Sequence, residues 1–272
     1  MRKKIALVGG GNIAQALIGN LLTNKVFSAK EIFVNDIRPE RCDFLKKHFK
    51  VKSSINKSEV ISPVQVVIIA VKPQQIEQTL SEIRPLLKPR QLIISVAAGI
   101  TINYLQKMLR SPENRHPKIV RTMPNTPVAV GAGVIAMSFG RGLKPADRIV
   151  AKKIFSSCGK ILVVKESQID AITAISGSGP GYFLYLARCF QEIAGRLGLA
   201  EFAEELVRQT LYGTGIMARE IPESFGSLLG RVMSPGGTTE AAIKYWEKRH
   251  LVNILKSAVL AAARRSKELS RR

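Results

Sequence analysis

The chain has 272 residues, 46% of them hydrophobic, which suits one large or two medium domains with a sizeable core and excludes wholesale disorder. No apolar run reaches the ~18 residues of a membrane helix, and the opening MRKKIALVGGG lacks a signal peptide's cleavage pattern, so a cytoplasmic protein with no membrane partner is expected. The net charge of +22 would suit an anionic partner, but the basic residues are spread along the chain among acids and aromatics are only 6%, so no nucleic-acid role is expected.

Along the first half, apolar runs alternate with amphipathic stretches. Residues 5–8 read as a buried strand, 14–22 as a helix, 31–35 as a strand and 39–49 as a helix. A β-branched strand at 64–71, a helix at 76–87, a strand at 92–96 and a short helix at 104–109 continue the rhythm, with further strands at 119–122 and 133–138. This alternation predicts a doubly wound parallel sheet, that is, an α/β Rossmann-type N-terminal domain. After about Val164 the β-branched runs fade, and 169–175, 183–197, 202–217 and 252–269 carry helical periodicity. The second domain is therefore predicted to be all-α. The boundary divides the chain into 1–162 and 163–272. The densest basic cluster, Arg264, Arg265, Lys267, Arg271 and Arg272, ends a helical pattern, where the dipole favours cations.

The stretch LVGGGNIAQAL lies where the first strand meets the first helix. Gly9, Gly11 and Ala14 fit the G-x-G-x-x-G/A pattern: a tight turn, close backbone approach to a pyrophosphate, and close helix–strand packing. The helix N-terminus then offers free N–H groups to phosphates. The second strand ends in VNDIRPER. Asp36 there suits a ribose 2′-OH and hence NAD, whereas Arg38 and Arg41 suit a 2′-phosphate and hence NADP; both remain open. Lys72, in AVKP, closes the most apolar strand at the edge where ligands bind in open α/β sheets.

Together with AVKPQ, SVAAGI, VRTMPNTP, SGSGPGYF and VMSPGGTTEAAIKYWE, in this order over the whole chain, the opening fingerprint VGGGNIAQALIGNLL resembles the pyrroline-5-carboxylate reductase family. The resemblance implies hydride transfer from NADP (or NAD) to the C=N carbon of 1-pyrroline-5-carboxylate, giving L-proline. It also implies a helical domain that forms a homodimer, with a decamer of five dimers in many members. By motif, the cofactor's phosphates meet Val8, Gly9, Gly10, Gly11, Asn12 and Ile13. Its adenosine end meets Asn35, Asp36 and Arg38, Asn56 matches a family asparagine near the cofactor, and Ala70, Val71, Lys72 and Ala98 line the nicotinamide side. The substrate carboxylate falls to Ser234 and the N–H groups of Gly237, Thr238 and Thr239. The Thr239 hydroxyl, near the ring nitrogen, is the catalytic candidate. The chain departs from the family at WEKRHL, where a Gly-Gly is common, so the turn there is expected to be helix-extended or capped differently.

The residues themselves are compatible with this chemistry. A protonated imine is already polarised, so no strong protein acid is needed, and His48, His116 and His250 lie outside every motif and read as structural or exposed. Cys42, Cys158 and Cys189 lack metal or disulfide spacing and read as buried thiols, so no metal is expected. Gly177 and Gly179 before Pro180 mark a helix break on sequence grounds alone. Pro235, Gly236 and Gly237 form a turn or an anion pocket, with Thr238 and Thr239 able to cap the helix that follows. A β-hydroxyacid-dehydrogenase-like enzyme would share the two-part plan, but the helical half shows no convincing catalytic lysine. A cofactor-binding protein without catalysis is the remaining alternative.

Overall fold

The alternation of faces within each strand dictates the N-terminal architecture. In β1 (Ile5–Val8), Ile5 and Leu7 point to one side and Ala6 and Val8 to the other, and all four are buried. A strand buried on both faces needs helices on both faces. The structure, a computed structural model, describes residues 3–112 and 114–270. β1 is followed by α1 (Asn12–Thr23), β2 (Ile32–Asn35), α2 (Pro39–Phe49), β3 (Lys52–Ser54) and α3 (Lys57–Ile61). Then come β4 (Val66–Ile69), α4 (Ile76–Ile83), β5 (Leu92–Ser95), α5 (Ile102–Leu109), β6 (Lys118–Pro124), β7 (Gly133–Phe139), α6 (Pro145–Ser156) and β8 (Gly159–Val163). The helices α1, α2 and α6 close one apolar layer around Leu17, Leu45 and Phe155, while α3, α4 and α5 close the other around Ile61, Leu80 and Leu105.

These strands form one eight-stranded sheet in the order β3-β2-β1-β4-β5-β6-β7-β8. Pairing is parallel through β6, as expected, but β7 runs antiparallel to β6. Residues 125–132, which include a 3₁₀ turn at Thr126–Val130, join the two strands. A parallel return would need a crossover of about a dozen residues or more, so the chain can only double back. α6 supplies such a crossover between β7 and β8, which are parallel.

The rest of the chain is helical: α7 (Ile169–Ile172), α8 (Gly179–Arg196), α9 (Ala203–Glu220), α10 (Phe225–Val232), α11 (Thr238–Lys248) and α12 (Leu251–Leu269). Among the described residues no helix is long and apolar enough to cross a membrane. The compact units are Met1–Ser178 with Ala262–Arg272, and Gly179–Ala261. This geometric division lies beyond the 162/163 boundary because residues after β8 are tied to the sheet. Arg121 pairs with Glu166 at 3.0 Å, and Asn125 Nδ2 donates to the Ser176 carbonyl at 3.0 Å. The expected break at Gly177 is instead a π-helical turn, Thr173–Gly177, whose end is marked by Ser178 N–H donating to Thr173 O at 2.8 Å.

The second unit barely buries itself. Of its apolar side chains only Ala203 and Leu228 are buried, while Phe183, Tyr212 and Phe225 are all more than 60% exposed. Phe190 of α8 approaches Trp246 of α11 at 6.5 Å between ring centres. Helices with such faces need a further partner surface. Cys42 and Cys158 are buried as expected, but Cys189, on α8, is only half-buried.

The WEKRHL segment ends α11 without glycine. His250 takes the left-handed conformation at φ +53°, and its N–H donates to Glu247 O at 2.9 Å. A β-carbon in that region costs about 1–2 kcal/mol, partly offset in glycine by chain entropy. His250→Gly is therefore expected to stabilise the protein by up to about 1 kcal/mol, read as a higher thermal midpoint. An unchanged or lower midpoint would show that the imidazole repays its backbone strain.

Candidate dinucleotide cleft and anion loop

The turn after β1 is shaped by crowding. Gly9 has φ +100°, and a Cβ there would lie 2.6 Å from the Ala70 carbonyl oxygen. The Gly9 N–H donates to Asn35 O at 2.8 Å, and Ala70 N–H donates to Val8 O at 2.8 Å, which joins the ends of β1, β2 and β4. A Cβ on Gly10 would meet Leu45 Cδ1 at 2.8 Å, whereas one on Gly11 would meet nothing within 4 Å. Gly11 is the N-cap of α1 and makes no side-chain cap bond, so the first-turn N–H groups face outward uncapped. An open backbone face beside a free helix N-terminus fits a pyrophosphate.

Asp36 braces this turn. Its Oδ2 accepts the Gly10 N–H at 2.9 Å, and its Oδ1 accepts the Arg38 N–H and Nε, each at 3.1 Å. Burial raises the carboxyl pKa, but the hydrogen bonds from Arg38 and Gly10 outweigh it and hold Asp36 below the usual carboxylate range. Arg41 is committed elsewhere: Nε donates to the Gly10 carbonyl at 2.5 Å, Nη2 to Gln15 Oε1 at 2.7 Å, and the guanidinium lies over Phe44. Of the two arginines, Arg38 is the one that lines the cleft.

That cleft has a volume of about 360 Å³ and brings together Val8, Gly9, Gly11, Asn35, Asp36, Arg38, Ala70, Val71 and Lys72 from the sequence-predicted set. The remaining predicted residues lie elsewhere. Gly10 sits beneath the turn. Asn12 and Ile13 border a separate hollow of about 690 Å³ with Thr126 and Val128. Asn35, which lines the cleft, is buried and spends its amide on the Ser54 and Ile55 carbonyls, both at 3.0 Å. Asn56 is exposed and caps α3 through Oδ1, which accepts the Ser58 N–H at 3.0 Å. Ala98 is half-buried in the turn between β5 and α5. Sequence reading missed Lys57 and Glu82, which line the cleft and pair at 2.8 Å. No motif marks them, because they come from helices outside the glycine-rich turn. The hydrogen bond from Lys57, with another from Gln78, holds the Glu82 carboxyl low.

The Ser234–Thr239 loop belongs to the second unit. Pro235 and Gly236, at φ +70°, occupy the middle of a turn closed by Gly237 N–H donating to Ser234 O at 3.0 Å, the residue pattern of a type II turn. A Cβ on Gly237 would strike Ser234 Oγ at 2.5 Å, so the serine hydroxyl lies over that glycine. Two expectations are corrected here. The threonines do not cap α11: Gly237 is the N-cap without a side-chain bond, and Glu240 accepts the Gly236 N–H at 2.7 Å instead. The Gly237 N–H is already used by the turn. What remains for an anion is Ser234 Oγ, the first-turn N–H groups of Thr238 and Thr239, and two threonine hydroxyls with no hydrogen bond among the described residues. His48, His116 and His250 are all exposed and outside the cleft.

The Asp36 carboxyl is held low in the folded protein. Its ionised form contributes stability that is fully present above the unfolded value of about 3.9 and is lost as pH falls through the lower folded value. Asp36→Ala is expected to lower stability near neutral pH by roughly 1–3 kcal/mol and to abolish that part of the acid-side loss. Urea unfolding near pH 7 and near pH 3 measures both. Equal losses at the two pH values would contradict the brace.

Residues 166–269 match the family model for pyrroline-5-carboxylate reductase dimerisation, and residues 4–99 match that for NADP oxidoreductase, coenzyme F420-dependent. A pyrroline-5-carboxylate reductase of Synechocystis is 34% identical over 273 residues, covering 100% of both chains. Among solved structures, a Coxiella burnetii pyrroline-5-carboxylate reductase aligns at TM-score 0.90 with 35% identity, covering 99% of each chain. A Plasmodium falciparum pyrroline carboxylate reductase with NADP bound aligns at 0.86 with 28% identity, covering 99% of this chain and 98% of that one. The glycine turn, the cleft beside it, the helical half and these full-length likenesses agree: the chain belongs to the pyrroline-5-carboxylate reductase family.

Proposed function

We propose that this chain reduces 1-pyrroline-5-carboxylate to L-proline, the last step of proline biosynthesis, in the cytoplasm, with NADPH as the preferred reductant. The full-length match to pyrroline-5-carboxylate reductases carries the assignment of the reaction. The charge of the cleft carries the cofactor choice. Arg38, Lys57 and Lys72 line it, and both of its carboxylates, Asp36 and Glu82, are already held by cations. An Asp36 engaged by Gly10 and Arg38 is a poor acceptor for a ribose hydroxyl, while the half-exposed Arg38 can reach a 2′-phosphate.

When bound, the reduced nicotinamide supplies the hydride. The protein's part is to orient and to hold charge. The free N–H groups at the start of α1 take the pyrophosphate, and Val71 and Ala98 flank the nicotinamide. Ser234 Oγ and the N–H groups of Thr238 and Thr239 hold the substrate carboxylate. The protonated ring nitrogen donates to Thr239 Oγ1, which fixes the orientation of the C=N carbon. As hydride adds to that carbon, the C=N π electrons become the amine lone pair, and no proton from the protein is required. Placement therefore accounts for most of the acceleration. The domain division of this reading is 1–162 for cofactor and 163–272 for dimerisation and substrate. The exposed apolar faces of α8, α9 and α10 support a homodimer, and the family resemblance implies five such dimers in a decamer.

Purified, folded protein is expected to oxidise NADPH only when 1-pyrroline-5-carboxylate is present. Absence of turnover with either NADPH or NADH would refute the assignment. Thr239→Ala is expected to lower kcat by about 10²-fold while changing cofactor affinity less than about twofold. Wild-type turnover in that variant would remove Thr239 from the chemistry. Arg38→Ala is expected to raise KM for NADPH about tenfold or more and to leave KM for NADH nearly unchanged. Equal effects on the two cofactors would contradict a 2′-phosphate contact.

A further inference from the structure

The segment from Ser95 to Ile102 leaves β5, carries Ala98 and enters α5. Its placement beside the nicotinamide belongs to the function proposed above, and the inference rests on that reading. The segment is anchored at three points. Thr122 Oγ1 donates to the Ser95 carbonyl at 3.0 Å. In the middle, Gly99 has φ +72°, and a Cβ there would lie 2.8 Å from Leu269 O and Cβ and 2.9 Å from Leu269 C. The last turn of α12 therefore lies with its backbone directly on Gly99. At the far end, Ile102 N–H donates to Glu166 Oε1 at 2.7 Å.

Two of these anchors come from outside 1–162, and a single buried cation stands between them. Arg121, whose side chain is 3% exposed, reaches Glu166 Oε1 at 3.0 Å and Asp170 Oδ1 at 3.8 Å. The same Asp170 oxygen accepts Ser266 Oγ at 2.8 Å and Ser270 Oγ at 2.9 Å. Serines four residues apart lie on one face of a helix, so the pair fixes both the rotation and the depth of the last turn of α12. That turn carries Leu269 against Gly99.

We infer that Asp170 is a positioning residue for hydride transfer: through Ser266 and Ser270 it holds the end of α12 on Gly99 and so sets the place of Ala98. The motif SVAAGI then has a physical partner in the last residues of the chain. Its glycine is required twice, for its backbone angle and for the close approach of Leu269. A misplacement of about 1 Å at the reacting atoms costs about a hundredfold in rate, so a loosened turn is expected to affect catalysis before it affects folding.

The test compares wild type, the double variant Ser266→Ala with Ser270→Ala, Asp170→Ala and Asp170→Asn, all in the full chain. Amide hydrogen exchange over residues 96–102 is measured without cofactor, alongside kcat and both KM values. The double variant and Asp170→Ala are expected to exchange about tenfold faster in that segment, with the amides of β1 and β4 unchanged. KM for reduced cofactor should rise about fivefold and kcat should fall, while KM for the imine moves less than about twofold. Asp170→Asn keeps an oxygen that accepts both hydroxyls, and it is expected to restore most of the exchange protection. Should Asp170→Ala fail to fold, the double serine variant decides. An active wild type whose folded double variant exchanges and turns over like it would overturn the inference alone. Faster exchange throughout the sheet, or Asp170→Asn behaving as Asp170→Ala, would also overturn it by showing a general loss of stability. An inactive wild type would overturn the proposed function and, with it, this inference.

Discussion

The ends of β1 and β4 meet at Gly9, where a side chain has no room. A Cβ at this position would overlap the Ala70 carbonyl, and the backbone angle is one that L-residues rarely adopt. This single close approach lets the chain turn directly from strand to helix at the carboxyl edge of the sheet. It leaves Gly11 open and the start of α1 uncapped, which is the condition for receiving phosphate. Asp36 and Arg41 then secure Gly10 from the two sides of its peptide, one through the N–H and the other through the carbonyl. The face proposed to receive phosphate is thus built of backbone, and Asp36 and Arg41 serve to fix that backbone.

The same division of labour holds at the second glycine loop. Pro235 and Gly236 are accounted for by the turn and Gly237 by the Ser234 hydroxyl above it. Glu240, its carboxyl lowered chiefly by Lys244 and then by the Gly236 N–H, does the capping that the threonines were expected to do. Releasing Thr238 and Thr239 from that duty supports the proposed anion reading, because their donors and hydroxyls have no other hydrogen-bond partner among the described residues. The loop is carried by helices whose apolar faces are left largely uncovered, as befits a segment matching a dimerisation domain.

Much of this was legible in the amino-acid order. β1 and α2 match their predicted bounds because a short fully apolar run and a Pro-initiated amphipathic run are unambiguous signals. β3 and α3 were missed: KSS is polar with one buried residue, and KSEVI is a single turn or so. α6 mixes charge evenly with apolar residues, and α10 carries Gly226 and Gly230, which weaken any helical reading. The reversal at β7 is set by the length of a connection, which strand patterns do not encode. Within the site, glycines and the ends of strands were readable because their roles are backbone roles. Lys57, Glu82, Asp170 and Ser266 were not, because each acts through a partner distant in sequence.

This chain is proposed to move a hydride from a reduced nicotinamide to an imine carbon. NADPH carrying deuterium at the transferable position of C4, incubated with the protein and 1-pyrroline-5-carboxylate, tests it most directly, with the product examined by mass spectrometry and NMR. L-proline bearing a single deuterium at Cδ is expected, formed faster with NADPH than with NADH. Oxidised cofactor without labelled proline, or no reaction in folded protein, would contradict it.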